Sequence, residues 1–179
     1  MPSQDPTYPA KRTPSPGGEF TIQQFFLPIR LNGIEVWALL DTGAHVSILP
    51  QEISNEILNR YNRPTDEGTY PLARLVSVPY ESYELSFELL QHIDDTIPEL
   101  DIMPYTKNPG VVTRIQSVEF QVPTLTWNEI ASHLDPGDPI QTDGTNPQYV
   151  ILGLYGVIDQ LSLSFVGDNS VTVSTISPK

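Results

Sequence analysis

Trp37-Ala38-Leu39-Leu40-Asp41-Thr42-Gly43-Ala44-His45-Val46-Ser47-Ile48-Leu49-Pro50 is the stretch on which the reading of this chain turns. One apolar run delivers a carboxylate into a Thr-Gly turn, and a second apolar run leaves it. The first run extends back to Ile34 and reads as a strand buried on both faces. Burying a charged group without partners costs several kcal/mol, so the turn itself must help. Gly43 permits backbone angles that side chains disfavour, which lets amides approach the carboxylate. The hydroxyl of Thr42 is both donor and acceptor and can brace the loop. Two such carboxylates facing each other would share one proton and could activate a water.

Working outward, Phe20 to Leu31 reads as a strand, with Pro28 marking an edge or a bulge. Asn32-Gly33 is a hairpin signal leading into the strand Ile34 to Leu40. Val46 to Leu49 is a short strand, and Pro50 opens a helix over Gln51 to Tyr61. Ile53, Ile57, Leu58 and Tyr61 form that helix's apolar stripe. Residues 62–71 are rich in turn formers. Strands follow at Leu72 to Val78 and Ser82 to Leu90, split by Pro79. In the second, Tyr83, Leu85, Phe87 and Leu89 alternate with Glu84, Ser86 and Glu88, a pattern with one wet face.

Further on, residues 91–110 read as loop and Val111 to Val122 as one or two strands. Trp127 to Leu134 reads as a short helix and residues 135–147 as loop. Tyr149 to Gly153 is a buried strand ending in glycine, and Leu154 to Leu161 a short helix. Ser162 to Phe165 and Val171 to Ile176 close the chain as strands around Gly167-Asp168-Asn169.

The 179 residues suit one domain. Residues 1–18, rich in Pro, Ser and Gly, are expected to be a disordered arm, because they hold too little apolar surface to order themselves. The domain then covers 19–179. Eighteen prolines and the Val, Ile, Thr and Tyr runs argue for a loop-rich, mostly β chain. There is no cysteine, which excludes disulfides and thiolate metal sites. Twenty-two acidic against nine basic residues give a net charge of −13. That disfavours nucleic acid and anionic membranes as partners, since phosphate contacts need clustered Lys and Arg. No apolar run reaches the roughly 20 residues that cross a bilayer, and no signal peptide is seen, so a cytoplasmic location is expected.

Two blocks carry a family resemblance: Trp37 to Pro50, and Val150-Ile151-Leu152-Gly153-Leu154-Tyr155-Gly156-Val157-Ile158-Asp159-Gln160-Leu161-Ser162-Leu163-Ser164-Phe165. In their order along the chain they resemble the retropepsin-like aspartic proteases, and the second block looks more like the bacterial than the retroviral members. The match spans about a third of the chain. It implies a closed β-barrel of the acid-protease type, one lobe per chain, with one or two short helices. It implies a homodimer with one catalytic Asp41 per chain, an active-site loop of Thr42, Gly43 and Ala44, and a substrate-pocket wall at Ile151, Leu152 and Gly153. The substrate would be a peptide or protein, hydrolysed by a water activated between the two Asp41 carboxylates, with no cofactor and no metal.

No second Asp-Thr-Gly or Asp-Ser-Gly is present, which agrees with one carboxylate per chain. Asp66-Glu67-Gly68, Asp135-Pro136-Gly137 and Asp143-Gly144 read as turns. The chain departs from the viral pattern. Asp41 and Ile151 are 110 residues apart, which implies an insertion, placed within 91–147. No Gly-rich flap follows the helix, and the candidates are 66–80 or the insertion. The Arg that often follows Leu-Gly in viral members is missing at Leu154-Tyr155. Viral members interleave their termini, which points to residues 1–10 and 171–179.

Plainer readings stand beside these. Asp41-Thr42-Gly43 alone is also an Asx-type turn at a strand end. His45 reads as a surface or structural residue, because no Ser or Cys nucleophile pattern accompanies it. His92 and His133 lack ligand-spaced partners. Asp94, Asp95, Glu99 and Asp101 read as a solvated loop and do not match an EF-hand. Trp37 and Trp127 read as core or interface anchors. The competing function is a dimeric binding or assembly module on the same fold that cleaves weakly or not at all.

Overall fold

The computed structural model describes residues 5–14, 18–19, 21–73, 76–91, 110–132, 149–167 and 170–176. In chain order the elements are β1 (Thr7–Pro14), β2 (Thr21–Leu31), β3 (Ile34–Leu40), β4 (Ser47–Ile48) and α1 (Gln51–Ile57). They continue as β5 (Asp66–Ala73), β6 (Val76–Leu90), β7 (Val111–Pro123), α2 (Trp127–Ser132), β8 (Tyr149–Leu152), β9 (Leu161–Val166) and β10 (Ser170–Thr175). The protein is mostly β. The strands form one sheet in the order β5-β6-β7-β4-β8-β3-β2-β1-β10-β9, and β6 also pairs with β2. Through that extra pairing β6, β7, β4, β8, β3 and β2 make a ring of ladders, from which β5 projects on one side and β1, β10 and β9 on the other.

Local sequence explains most of these elements. The turn between β2 and β3 is Asn32-Gly33, both residues left-handed at φ 51° and 80°. That is the backbone a two-residue hairpin requires. Pro28 lies inside the sheet, but in the gap where β2 changes neighbours. β1 pairs with Thr21 to Phe25 and β6 with Ile29 to Leu31, so a missing N–H is tolerated between them. Leu85, Phe87 and Leu89 of β6 are buried, as their alternation predicts, and Phe87 meets Phe120 of β7 edge to face. Thr126 and Glu129 cap α2 reciprocally: Glu129 N–H donates to Thr126 Oγ1 at 3.1 Å, and Thr126 N–H to Glu129 Oε2 at 3.3 Å.

Three expectations change. Part of the 1–18 arm is a strand, because its backbone finds partners on both sides and Tyr8 supplies an anchor. Thr7 to Pro9 pair with β10, Ala10 to Pro14 pair with β2, and the buried Tyr8 hydroxyl donates to Leu90 O at 2.6 Å. β1 and β10 thus pair within one chain. The helix α1 stops at Ile57, and Tyr61 is 74% exposed. Asparagines take over there: Asn32 Nδ2 donates to Ile57 O and to Asn62 Oδ1, which also accepts from Asn59 N–H. Pro50 opens the helix from the cap position, immediately before Gln51.

Residues 66–71 are strand rather than turns, and β6 runs straight through Pro79, opposite Thr69. Side-chain packing overrides the turn propensity: Tyr80 lies over Gly68, where a Cβ would come within 2.6 Å of its Cζ. Val111 to Val122, read as one or two strands, belongs to the single strand β7, which pairs with both β6 and β4 inside the ring. Residues 92–109 and 133–148 lie outside the described residues, and with them His92, His133, the acids at 94–101, Leu134 and the 135–147 loop.

Candidate active site

Asp41 stands at the end of β3 because β3 pairs with β8 in parallel, Leu40 opposite Leu152. The ladder runs one bond further: Asp41 N–H donates to Leu152 O at 2.9 Å. The two sequence blocks are therefore joined at this point. The chain then turns back, with Ala44 N–H donating to Asp41 O at 3.2 Å. Gly43 N–H donates to Asp41 Oδ1 at 3.0 Å, so a backbone amide partners the carboxylate. The Asp41 side chain is half-buried while Thr42 and Gly43 are exposed, which leaves the carboxylate reachable from one side.

The loop is tied down from beneath. Leu154 N–H donates to Ala44 O at 3.0 Å and Tyr155 N–H to His45 O at 2.9 Å. Gly153 passes directly under the backbone of Val46, where a Cβ would fall within 2.8 Å of His45 C and closer still to the Val46 carbonyl. The buried Ser47 Oγ accepts the Gly153 N–H at 3.0 Å. Ser47 carried no sequence signal beyond being one hydroxyl in an apolar run. Ser47→Ala would leave that buried N–H without a partner, which costs about 1–3 kcal/mol. A fall in the urea midpoint of that size, with an unchanged m-value, is the expected result.

The segment after Gly153 is not the helix read from sequence. Ile158 N–H reaches Leu154 O and Leu161 N–H reaches Val157 O, both at 2.9 Å, yet Gly156 sits at φ 78° and breaks the run into turns. These turns are pinned to β7. Gln160 Oε1 accepts from Gln116 N–H and Gln160 Nε2 donates to Gln116 O, each at 2.8 Å. The register of β6 and β7 shifts at this point, between Leu85 and Phe87, and Ser117 takes φ 55°. The bulge gives Gln160 free backbone groups to grip.

The geometry revises one expectation, that of an unusual backbone at Gly43. Ile151, Leu152 and Gly153 are buried, because β8 runs between β3 and β4, and they lie beneath the Asp41 loop. Gly43 is not left-handed, and a Cβ on it would meet Asp41 Oδ1 at an ordinary 3.4 Å. Its amide, not an unusual φ, is what serves the carboxylate. His45 is exposed and its ring lies 5.5 Å from that of Tyr155. Trp37 is buried in β3. A shallow cleft of about 440 Å³ lies at the base of the β5–β6 hairpin, against Glu67, Tyr80, Glu81 and Thr124, apart from Asp41.

No known family model matches the chain, and no curated protein matches it. Among solved structures, it is similar to a retropepsin-like aspartic protease from Rickettsia conorii, with a TM-score of 0.45 and 12% identity over 96% of each chain. No described helix is long and apolar enough to cross a membrane.

Proposed function

We propose that the chain is an aspartic endopeptidase that works as a homodimer, its ring of ladders serving as the barrel of a single-lobed acid protease. The observation that carries this reading is the placement of Asp41. Its carboxylate is half-buried, held by the Gly43 amide and open on one side, in a loop fixed from below by the second block. A single turn at a strand end does not need that second layer of support.

In the dimer two Asp41 loops face each other across the axis. Like charges so close do not both ionise, so the pair holds one proton between them. The ionised member takes a proton from a water that attacks the scissile carbonyl, and the protonated member donates to the carbonyl oxygen. Thr42 braces the two loops against each other. The β5–β6 hairpin is the flap, closing over an extended peptide. Nothing in this scheme draws on a metal or a cofactor.

The test is incubation with a mixed peptide library from acid to neutral pH, with and without pepstatin, read by mass spectrometry. Inhibitor-sensitive cleavage is expected, with a specific activity that rises with protein concentration as the dimer forms. A confirmed dimer that cleaves nothing across that range would overturn the proteolytic reading in favour of a binding or assembly module.

A further inference from the structure

The cleft of about 440 Å³ at the base of the β5–β6 hairpin has a charged lining that the proteolytic scheme does not use. Its walls include Glu67, Thr69, Pro79, Tyr80, Glu81 and Thr124. In the ladder Glu67 lies directly opposite Glu81, and Thr69 opposite Pro79. Strand alternation puts these four on one side of the hairpin. Further along β6 the same side buries Leu85, Phe87 and Leu89. The other side is packed, with Val78 and Ser82 both buried. At the cleft, therefore, the core-facing side of β6 opens outward, with Pro79 exposed and Glu81 half-buried.

Like charges directly opposite each other destabilise a sheet. Among the described residues neither Glu67 nor Glu81 has an ion pair. Arg63, whose charge acts on the neighbouring Tyr83, directs its Nη1 to the carbonyls of Arg60 and Asn62 instead. Glu81 is also oriented. The Tyr83 hydroxyl, two residues on and on the same side, donates to Glu81 Oε2 at 2.8 Å. Burial, and then this bond, raise the Tyr83 hydroxyl above its ordinary pKa, so it stays a donor. The bond steadies the carboxylate and leaves Oε1 as an acceptor. A second glutamate pair, Glu84 and Glu119, also stands face to face, on β6 and β7. Both of its members are exposed and neither lines the cleft.

We propose that this cleft receives a cationic side chain, Arg or Lys, of an extended peptide, held between the Glu67 and Glu81 carboxylates. One positive charge relieves both glutamates at once. The methylenes of the cationic stem lie along Pro79 and Tyr80. Arginine suits the pair better than lysine, because its planar fork offers several donors to two carboxylates. The cleft is apart from Asp41, so the cation belongs to a residue away from the cleaved bond. That the peptide is a substrate rests on the proteolytic reading; that the cleft takes the cation does not.

The test uses the full chain carrying Asp41→Asn, so that peptides stay uncleaved. The probes are short fluorescent peptides of Ala, Val and Ser with one Arg moved through each position in turn. Each has a counterpart with citrulline, the neutral isostere of Arg. Fluorescence anisotropy should show about tenfold tighter binding of the Arg peptide at one position, the scale of a hydrogen bond to a charged group. Glu67→Gln/Glu81→Gln should abolish that ratio. Glu84→Gln/Glu119→Gln removes the same charge elsewhere and should preserve it. Absence of an Arg preference overturns the site. So does a preference that both double variants weaken alike, which is only attraction to a chain of net charge −13. Free arginine amide that binds as tightly as the Arg peptide overturns it too. The wild-type chain separates this site from the proteolytic reading. Peptides bound with an Arg preference yet never cleaved leave the site standing and overturn the protease. Cleavage that needs Asp41, with Arg and citrulline peptides bound equally, leaves the protease standing and overturns the site.

Discussion

Asp41→Asn is expected to abolish peptide cleavage while leaving fold and assembly unchanged. The amide is isosteric, and its Oδ1 can still accept the Gly43 N–H that holds the carboxylate at 3.0 Å. The backbone bonds from Leu152, Leu154 and Tyr155 do not involve the side chain at all. Loop geometry should therefore survive. What disappears is the titratable pair. In a homodimer one substitution removes the general base and the general acid together. General acid–base catalysis is typically worth about 10²–10⁴-fold, so a loss of at least about 10³ in kcat/KM is expected, or roughly 4 kcal/mol of transition-state stabilisation. The measurement is steady-state kinetics on a peptide found in the library assay, beside sedimentation and thermal unfolding. Retained activity in Asp41→Asn would remove Asp41 from the chemistry.

Gly153→Ala is expected to give the largest loss of stability for the smallest change in the chain. The added methyl would run into the Val46 carbonyl and the His45 carbonyl carbon, which are backbone and have no rotamer with which to move aside. That backbone is itself fixed, through His45 O to Tyr155 N–H and through the β4 ladders to β7 and β8. Overpacking a tight site costs about 1–3 kcal/mol, and a backbone clash belongs at the upper end. For a chain of this length that is a fall in Tm of roughly 6–12 °C, read by calorimetry. Gly43→Ala is the control. With an ordinary φ and 3.4 Å to the nearest atom, it should unfold within about 1 kcal/mol of wild type. Equal destabilisation by the two substitutions would mean that Gly153 is not the tight point beneath the loop.

Local chemistry made much of the fold readable in advance. The Asn32-Gly33 turn, the doubly buried β3, the alternation in β6 and the strand at Tyr149–Leu152 are each set by residues within a few positions. So is the turn at Asp41-Thr42-Gly43. The errors came where distant partners outweighed local preference. Residues 66–71 hold Gly68 and Pro71, yet they pair with β6 because Tyr80 covers Gly68 and the β6 backbone lies alongside. The N-terminal segment has the composition of a disordered arm, yet Thr7 to Pro14 gain two strand neighbours and a buried Tyr8 hydrogen bond. Helical spacing at 154–161 gave way to a left-handed Gly156 held over the bulge in β7.

The same division holds at the candidate site. Local order along the chain is enough to end an apolar strand with a carboxylate in a Thr-Gly turn, and to end a second apolar strand in glycine far downstream. Such features depend on hydrophobic period and turn chemistry, which act over a few residues. Tertiary structure alone decided that the two meet. Leu152 completes the ladder at Asp41, Gly153 slides under Val46, and Ser47 Oγ accepts the buried Gly153 N–H. These contacts join residues about a hundred positions apart, and no local preference encodes them. They exist because burying both strands in one ring leaves a backbone amide, a hydroxyl and a missing side chain to fit in the same small space.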